Sequence, residues 1–233
     1  MALIRTLLLA AMLLFISRSV WSQPGFTKGR CVLRNGQQLQ GNFQLRTATA
    51  QSPAILVYYE GREEREFEPT EVKHFTLGRR SYIVGNDFVA PDDKDGIPVD
   101  HDFVEVVDTT GSVQLFRYEY MGYLLRNGTS YTMPVGGVMM HGGGGADGYR
   151  RTDILLLRAG AGKPLVPYIP GPRAGLFAPE EEKGMLTAVG ATTAFFVNDP
   201  ELQKRIETGK LPEARLEAAV RAYNAGVRLQ PKN

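Results

Sequence analysis

Residues 28–46, KGRCVLRNGQQLQGNFQLR, and 54–84, AILVYYEGREEREFEPTEVKHFTLGRRSYIV, decide how this chain is read. They form a run of short segments with apolar alternation, each closed by a turn signal. Lys28–Arg34 stops at Asn35-Gly36, and Gln37–Arg46 follows with Gly41 inside it. Asn-Gly between two alternating runs is a strong hairpin signal, because both central residues of a type I′ turn need positive φ. Side chains of a strand alternate between faces, so Cys31 and Leu33 are expected on one face and Val32 with Arg30 or Arg34 on the other. Leu39, Phe43 and Leu45 share a parity with Gly41, where a bulge or a close backbone approach is expected. Ile55–Tyr59 is a continuous β-branched and aromatic run, which suits a central strand covered on both faces. Arg62–Glu68 is mostly charge with Phe67 as its one large apolar residue, as in an exposed strand guarded against edge pairing. Pro69-Thr70-Glu71 reads as a turn, after which Val72–Leu77, Gly78 and Ser81–Val84 complete a β-meander.

The N-terminus points to export. Arg5 precedes an uninterrupted apolar run, Leu7–Ile16, and small residues Val20 and Ser22 stand before Gln23. This is the pattern of a secretory signal, Met1–Ser22. The apolar run is shorter than the roughly 20 residues that span a membrane, and no later stretch is longer, so no transmembrane segment is expected in the mature chain. The full chain carries 27 Lys+Arg and 25 Asp+Glu. Arg5 and Arg18 leave with the leader and no acid does, so 25 cations then face 25 acids. A balanced chain gives no electrostatic case for nucleic acid, which calls for a concentrated cationic excess. The single cysteine, Cys31, has no internal disulfide partner, and its place in a hairpin strand favours burial.

Beyond Val84 the alternation breaks. Gly85–Asp102 reads as an acidic loop holding Asp87, Asp92, Asp93, Asp95, Asp100 and Asp102. Strands are expected again at Phe103–Val107 and, after the Asp108–Gly111 turn, at Val113–Tyr120, where Val113 and Leu115 alternate against Phe116 and Tyr118. Tyr123–Arg126, Asn127-Gly128 and Ser130–Met133 read as a second hairpin. Pro134–Arg151, with Gly142–Gly145, reads as a loop or linker. Asp153–Arg158 and Leu165–Ile169 are further strand candidates. After Pro170-Gly171-Pro172 the helical period takes over. One helix is expected from Pro179 to about Val197. A second starts with Asp199 as N-cap and Pro200 at N1 and ends near Gly209; a third runs from about Pro212 to Leu229.

The Lys28-Gly29 strand, the Asn35-Gly36 turn and Gly41 resemble the opening "GYI…DGDTLKG" hairpin of a family of short secreted proteins of Bacteroidota-type bacteria. Phe67-x-Pro69-x-x-Val72-x-x-Phe75 looks like the family's following "FSP-x-DI-x-xF" segment. Phe196, Asp199, Leu202, Ile206, Gly209 and Tyr223-Asn224 look like its closing helices. The resemblance covers both ends of the mature chain and rests on structural residues. The family has no assigned activity, so the resemblance implies no catalytic or binding residue. Pro200 stands beside a position often held by Cys in that family, so a disulfide there is not expected.

Residues that could carry chemistry also have plainer roles. Asp93-Lys94-Asp95-Gly96 imitates part of a calcium loop, but position 1 falls on Pro91 and the bidentate Glu is lacking, so Asp93 and Asp95 suit a solvated loop better. His74, His101 and His141 have no metal-ligand spacing. Nothing local activates Cys31 as a nucleophile with His74 or His101, and no Gly-x-Ser-x-Gly elbow exists. The glycine run lacks the Lys-Ser/Thr of a phosphate loop. Phe116 and Tyr118 could line a groove, although such aromatics more often pack cross-strand.

The expectation is therefore an α+β protein. A β-rich body of small antiparallel sheets or a partly open barrel precedes C-terminal helices. The divisions are 1–22 signal, 23–84 meander module, 85–170 second β-rich region and 171–233 helical region. The expected role is an exported, non-enzymatic module in the periplasm or outside the cell, needing no cofactor and binding an envelope protein, peptide or glycan. The alternative is a hydrolase using His101 and nearby carboxylates.

Overall fold

The computed structural model describes residues 25–49, 52–61, 63–91, 96–124, 148–170 and 189–226. The leader, Asp93 and Asp95, the Asn127-Gly128 turn, the Gly142–Gly145 run with His141, and the first expected helix up to residue 188 lie outside them.

The protein is mostly antiparallel β-sheet with a few C-terminal helices, and the sheet is open rather than a closed barrel. The strands are β1 (Thr27–Leu33), β2 (Gln38–Arg46), β3 (Ala48–Thr49), β4 (Ile55–Glu60), β5 (Glu63–Phe67), β6 (Val72–Leu77), β7 (Arg80–Ala90), β8 (Ile97–Asp108), β9 (Gln114–Leu124), β10 (Gly148–Arg158) and β11 (Val166–Pro167). Their order is β11-β10-β9-β8-β7-β6-β1-β2-β4-β5. The meander and the second β-rich region thus belong to one sheet, not to separate small ones. β3 lies one residue beyond β2 yet pairs in parallel with β9, Ala48 opposite Tyr120 and Thr49 opposite Met121. In the strand order β2 and β9 are far apart, so the sheet coils until β3 reaches β9.

The alternation of the N-terminal stretch is realised. Cys31 and Leu33 are buried, while Arg30 is exposed and Val32 half-buried. Burial pushes the Cys31 thiol up to about 11. Gly41 lets the Tyr58 ring approach, since a Cβ there would stand 2.8 Å from Cε2. β5 is the sheet edge, with only Phe67 buried. The run in β4 is buried through Leu56, Val57 and Tyr58, but β4 lies next to that edge rather than at the centre.

Every long strand sends side chains to one core. It runs from Cys31, Phe43, Leu56 and Phe75 to Phe103, Phe116, Tyr118, Ile154 and Leu156. β9 and β10 are buried on both faces. The opposite parity, Val113, Leu115, Leu155 and Leu157, joins a second core with the helices. Residues 189–193 are helical and continue into a 3-10 turn, Ala194–Phe196. α1 (Pro200–Glu207) begins as expected: the Asp199 carboxylate accepts from the Leu202 N–H at 3.0 Å, with Pro200 at the first position. α2 (Glu213–Asn224) stops five residues short of the expected Leu229, because Ala225 caps it and Gly226 turns to φ +68°. Phe196, Leu202, Ile206, Leu216 and Val220 face the sheet.

Two loop expectations are corrected. Gly85–Asp102 is largely strand: β7 runs on to Ala90 and β8 starts at Ile97. The alternation is masked because Gly85 leaves room for Leu165 and Asp87 takes φ 51°. Residues 148–151 of the expected linker belong to β10, paired residue by residue with β9.

Candidate functional site

At one end of the coil, two turns and the start of β8 surround a cleft of about 360 Å³. Thr49, Ser52 and Pro53 form one wall, Glu68, Pro69 and Thr70 another, and Ile97–Asp102 the third, with Tyr118 at the base. The proline rings stiffen the turns, since each fixes its own φ. Oxygen atoms dominate the polar lining: hydroxyls of Thr49, Ser52 and Thr70 and carboxylates of Glu68 and Asp100.

Asp102 is the residue that composition could not single out among the acids of its stretch. Its side chain is 1 % exposed. One carboxylate oxygen accepts from the Ala54 N–H at 3.0 Å and its own neighbour's Phe103 N–H at 2.7 Å. The other accepts from the Tyr118 hydroxyl at 2.8 Å. Burial holds the carboxyl above the usual carboxylate range, against these three bonds that pull it down. Burial, then the adjacent Asp102 charge, likewise raises the Tyr118 phenol. The carboxylate is thereby a strut: it ties the start of β4 to β8 and β9 and holds the floor of the cleft. Tyr118 stacks on Tyr120 with ring centroids 5.5 Å apart, and meets Phe88 edge-on at 5.0 Å. Tyr120 donates its hydroxyl to the Pro91 carbonyl.

The sequence-derived candidates separate. His101 lines the cleft, in a strand rather than the expected loop; its Nδ1 lies 3.1 Å from Asn86 Oδ1 across the β7–β8 pair. His74 stands exposed on β6, opposite Ile83 and Val32, and does not line that cleft. Phe116 is fully buried under the Arg158 guanidinium, 4.5 Å from the ring centroid, and does not line that cleft. Tyr118 combines core packing with a cleft-facing position. Thr49 and Ser52, whose hydroxyls lie 2.9 Å apart, carry no signal in the sequence, because only the coiling of the sheet brings them to the cleft that His101 lines. Among the described residues no three of His, Cys, Asp and Glu converge as a metal centre would require.

No protein family matches this chain, and no curated protein or solved structure does so either. No helix among the described residues is long and apolar enough to cross a membrane.

Proposed function

We propose that this protein is an exported, non-enzymatic interaction module that takes a segment of an envelope protein or peptide into the cleft between Pro53, Pro69 and Pro98. The observation that carries the reading is that Asp102, His101 and Ser52 of the cleft are each taken up by a neighbouring group of the fold. Asp102 is filled by three donors, His101 faces Asn86, and Ser52 faces Thr49. A hydrolase needs a nucleophile or water aligned with a base that is itself oriented. Of the two carboxylates that flank His101 in sequence, Asp102 serves the backbone and Tyr118 instead, and His74 does not line the cleft. What remains facing outward is a stiff, concave surface with hydroxyls, two carboxylates and apolar rings. That combination orients a ligand without transforming it.

The test is a pull-down from envelope extract with the mature chain, read by mass spectrometry, beside a cleft-filling variant, Thr70→Trp. The same proteins should be captured by the wild type and lost with the variant. Hydrolysis of an envelope component that disappears in His101→Ala would overturn the proposal.

A further inference from the structure

β5 ends the sheet, and four of its five residues are exposed. Every second residue of an edge strand turns its amide and carbonyl away from its neighbour, so among the described residues β5 presents an unpaired hydrogen-bonding edge. Its surroundings carry a net negative charge. Residues 60–68 hold Glu60, Glu63, Glu64, Glu66 and Glu68 against Arg62 and Arg65. Arg46 pairs with Glu64 at 3.4 Å and with Glu66, which offsets part of this excess. Glu60 and Glu63, however, stand directly opposite each other at the hairpin tip. Like charges directly opposite destabilise a strand pair, and a cation placed between them would reverse the sign. Two acidic edges of this kind repel, so a second copy of the chain is a poor occupant. At its other end β5 runs into Glu68, which lines the cleft together with Asp100.

We infer that β5 accepts an extended, lysine- or arginine-rich segment of a partner protein by strand addition, the segment continuing past Glu68 into the cleft. This inference rests on the proposed binding role and names the partner's chemistry. Backbone hydrogen bonds to β5 supply register; a basic side chain on the Glu63 face meets the Glu60–Glu63 pair at the hairpin tip, and another, past the end of the strand, meets Glu68. A charged edge is also how sheets avoid aggregation, and the two roles are compatible: the same acids reject neutral and acidic strands while admitting a basic one.

The experiment uses a fluorescent peptide of alternating lysine and valine, titrated into the mature protein at low salt. Its comparators are the same peptide with alternate backbone amides N-methylated and a glutamate-valine peptide. Binding by the lysine peptide alone is expected, with slowed hydrogen exchange at β5 amides. Glu63→Lys, which converts the like-charge pair into an opposite-charge pair and keeps the hairpin folded, should weaken binding about tenfold or more. Equal binding after N-methylation, or by Glu63→Lys, or no binding at all, overturns the edge proposal. Thr70→Trp separates the two readings. If that variant loses the lysine peptide while Glu63→Lys keeps it, the cleft is a binding site and β5 is not its extension.

Discussion

At the scale of single residues, the structure turns on side chains that satisfy each other out of water. Asp102 is the sharpest case: a carboxylate buried at 1 % exposure with three donors around it. Removing one donor leaves a buried acceptor unsatisfied, which costs about 1–3 kcal/mol. Tyr118→Phe does this with little change in volume. Its urea midpoint should fall accordingly, and an unchanged midpoint would show that the hydroxyl does not hold the cleft floor. Part of this scale was legible beforehand. The burial of Cys31 and the close approach at Gly41 followed from strand parity and from the glycine's position on the apolar face. Asp102 was not, because a run of aspartates looks solvated until Ala54 and Tyr118, far apart in the chain, deliver their donors to it.

Among the elements, the C-terminal helices are attached by a few specific bonds as well as by their apolar stripe. Asn224, the last residue of α2, grips the β8–β9 connection at both main-chain groups of Val113. Its Oδ1 accepts from the Val113 N–H at 3.1 Å and its Nδ2 donates to the Val113 carbonyl at 2.8 Å. Gly111 is part of the fit, since a Cβ there would lie 2.0 Å from the Asn224 side chain. Arg221 approaches Asp108 in the same turn at 3.7 Å, and the Thr110 N–H, then its hydroxyl, hold the Asp108 carboxyl below its ordinary range. Asn224→Ala loses both bonds, worth about 1–2 kcal/mol together. Hydrogen exchange should quicken across α2 while the amides of β1 and β2 keep their protection. Uniform loss of protection would mean that the helices and the meander unfold as one. Caps and periods announced α1 and α2 in the sequence. The strand character of 85–102 was hidden because polar Asn86, Asp87, Asp100 and His101 are exposed in consecutive pairs that break the alternation, and a two-residue strand such as β3 leaves no period to detect.

For the whole molecule, the sheet and the helices share one set of charges. Glu213, at the start of α2, is held up at about 7, first by burial and then by Asp153 on β10, with Arg117 on β9 opposing. Tyr168, whose hydroxyl bonds the Leu211 carbonyl at 2.6 Å, packs at the same junction. A carboxyl raised in the folded state binds its proton more tightly there than in the unfolded chain. Its contribution is complete below about 4.5 and is lost as pH rises toward about 7. The expected loss is about 1–2 kcal/mol, allowing for solvent screening at a half-buried site. Chemical denaturation across this range should show it, and Glu213→Gln should flatten the profile. An unchanged slope in the variant would move the effect to another group.

What the sequence determined by itself was the local choice of structure: two-residue periodicity through the β body, helical periodicity after it, the Asn35-Gly36 turn, the charged edge and the Asp199 cap. These depend on neighbours within a few positions, where steric and hydrogen-bonding preferences act. Only the tertiary structure decided that the β regions form one coiled sheet, that β3 crosses to β9, and that Ser52, Thr70, His101 and Tyr118 share a cleft. Such pairings join residues with no periodic relation along the chain, and they are chosen by the burial of one common core.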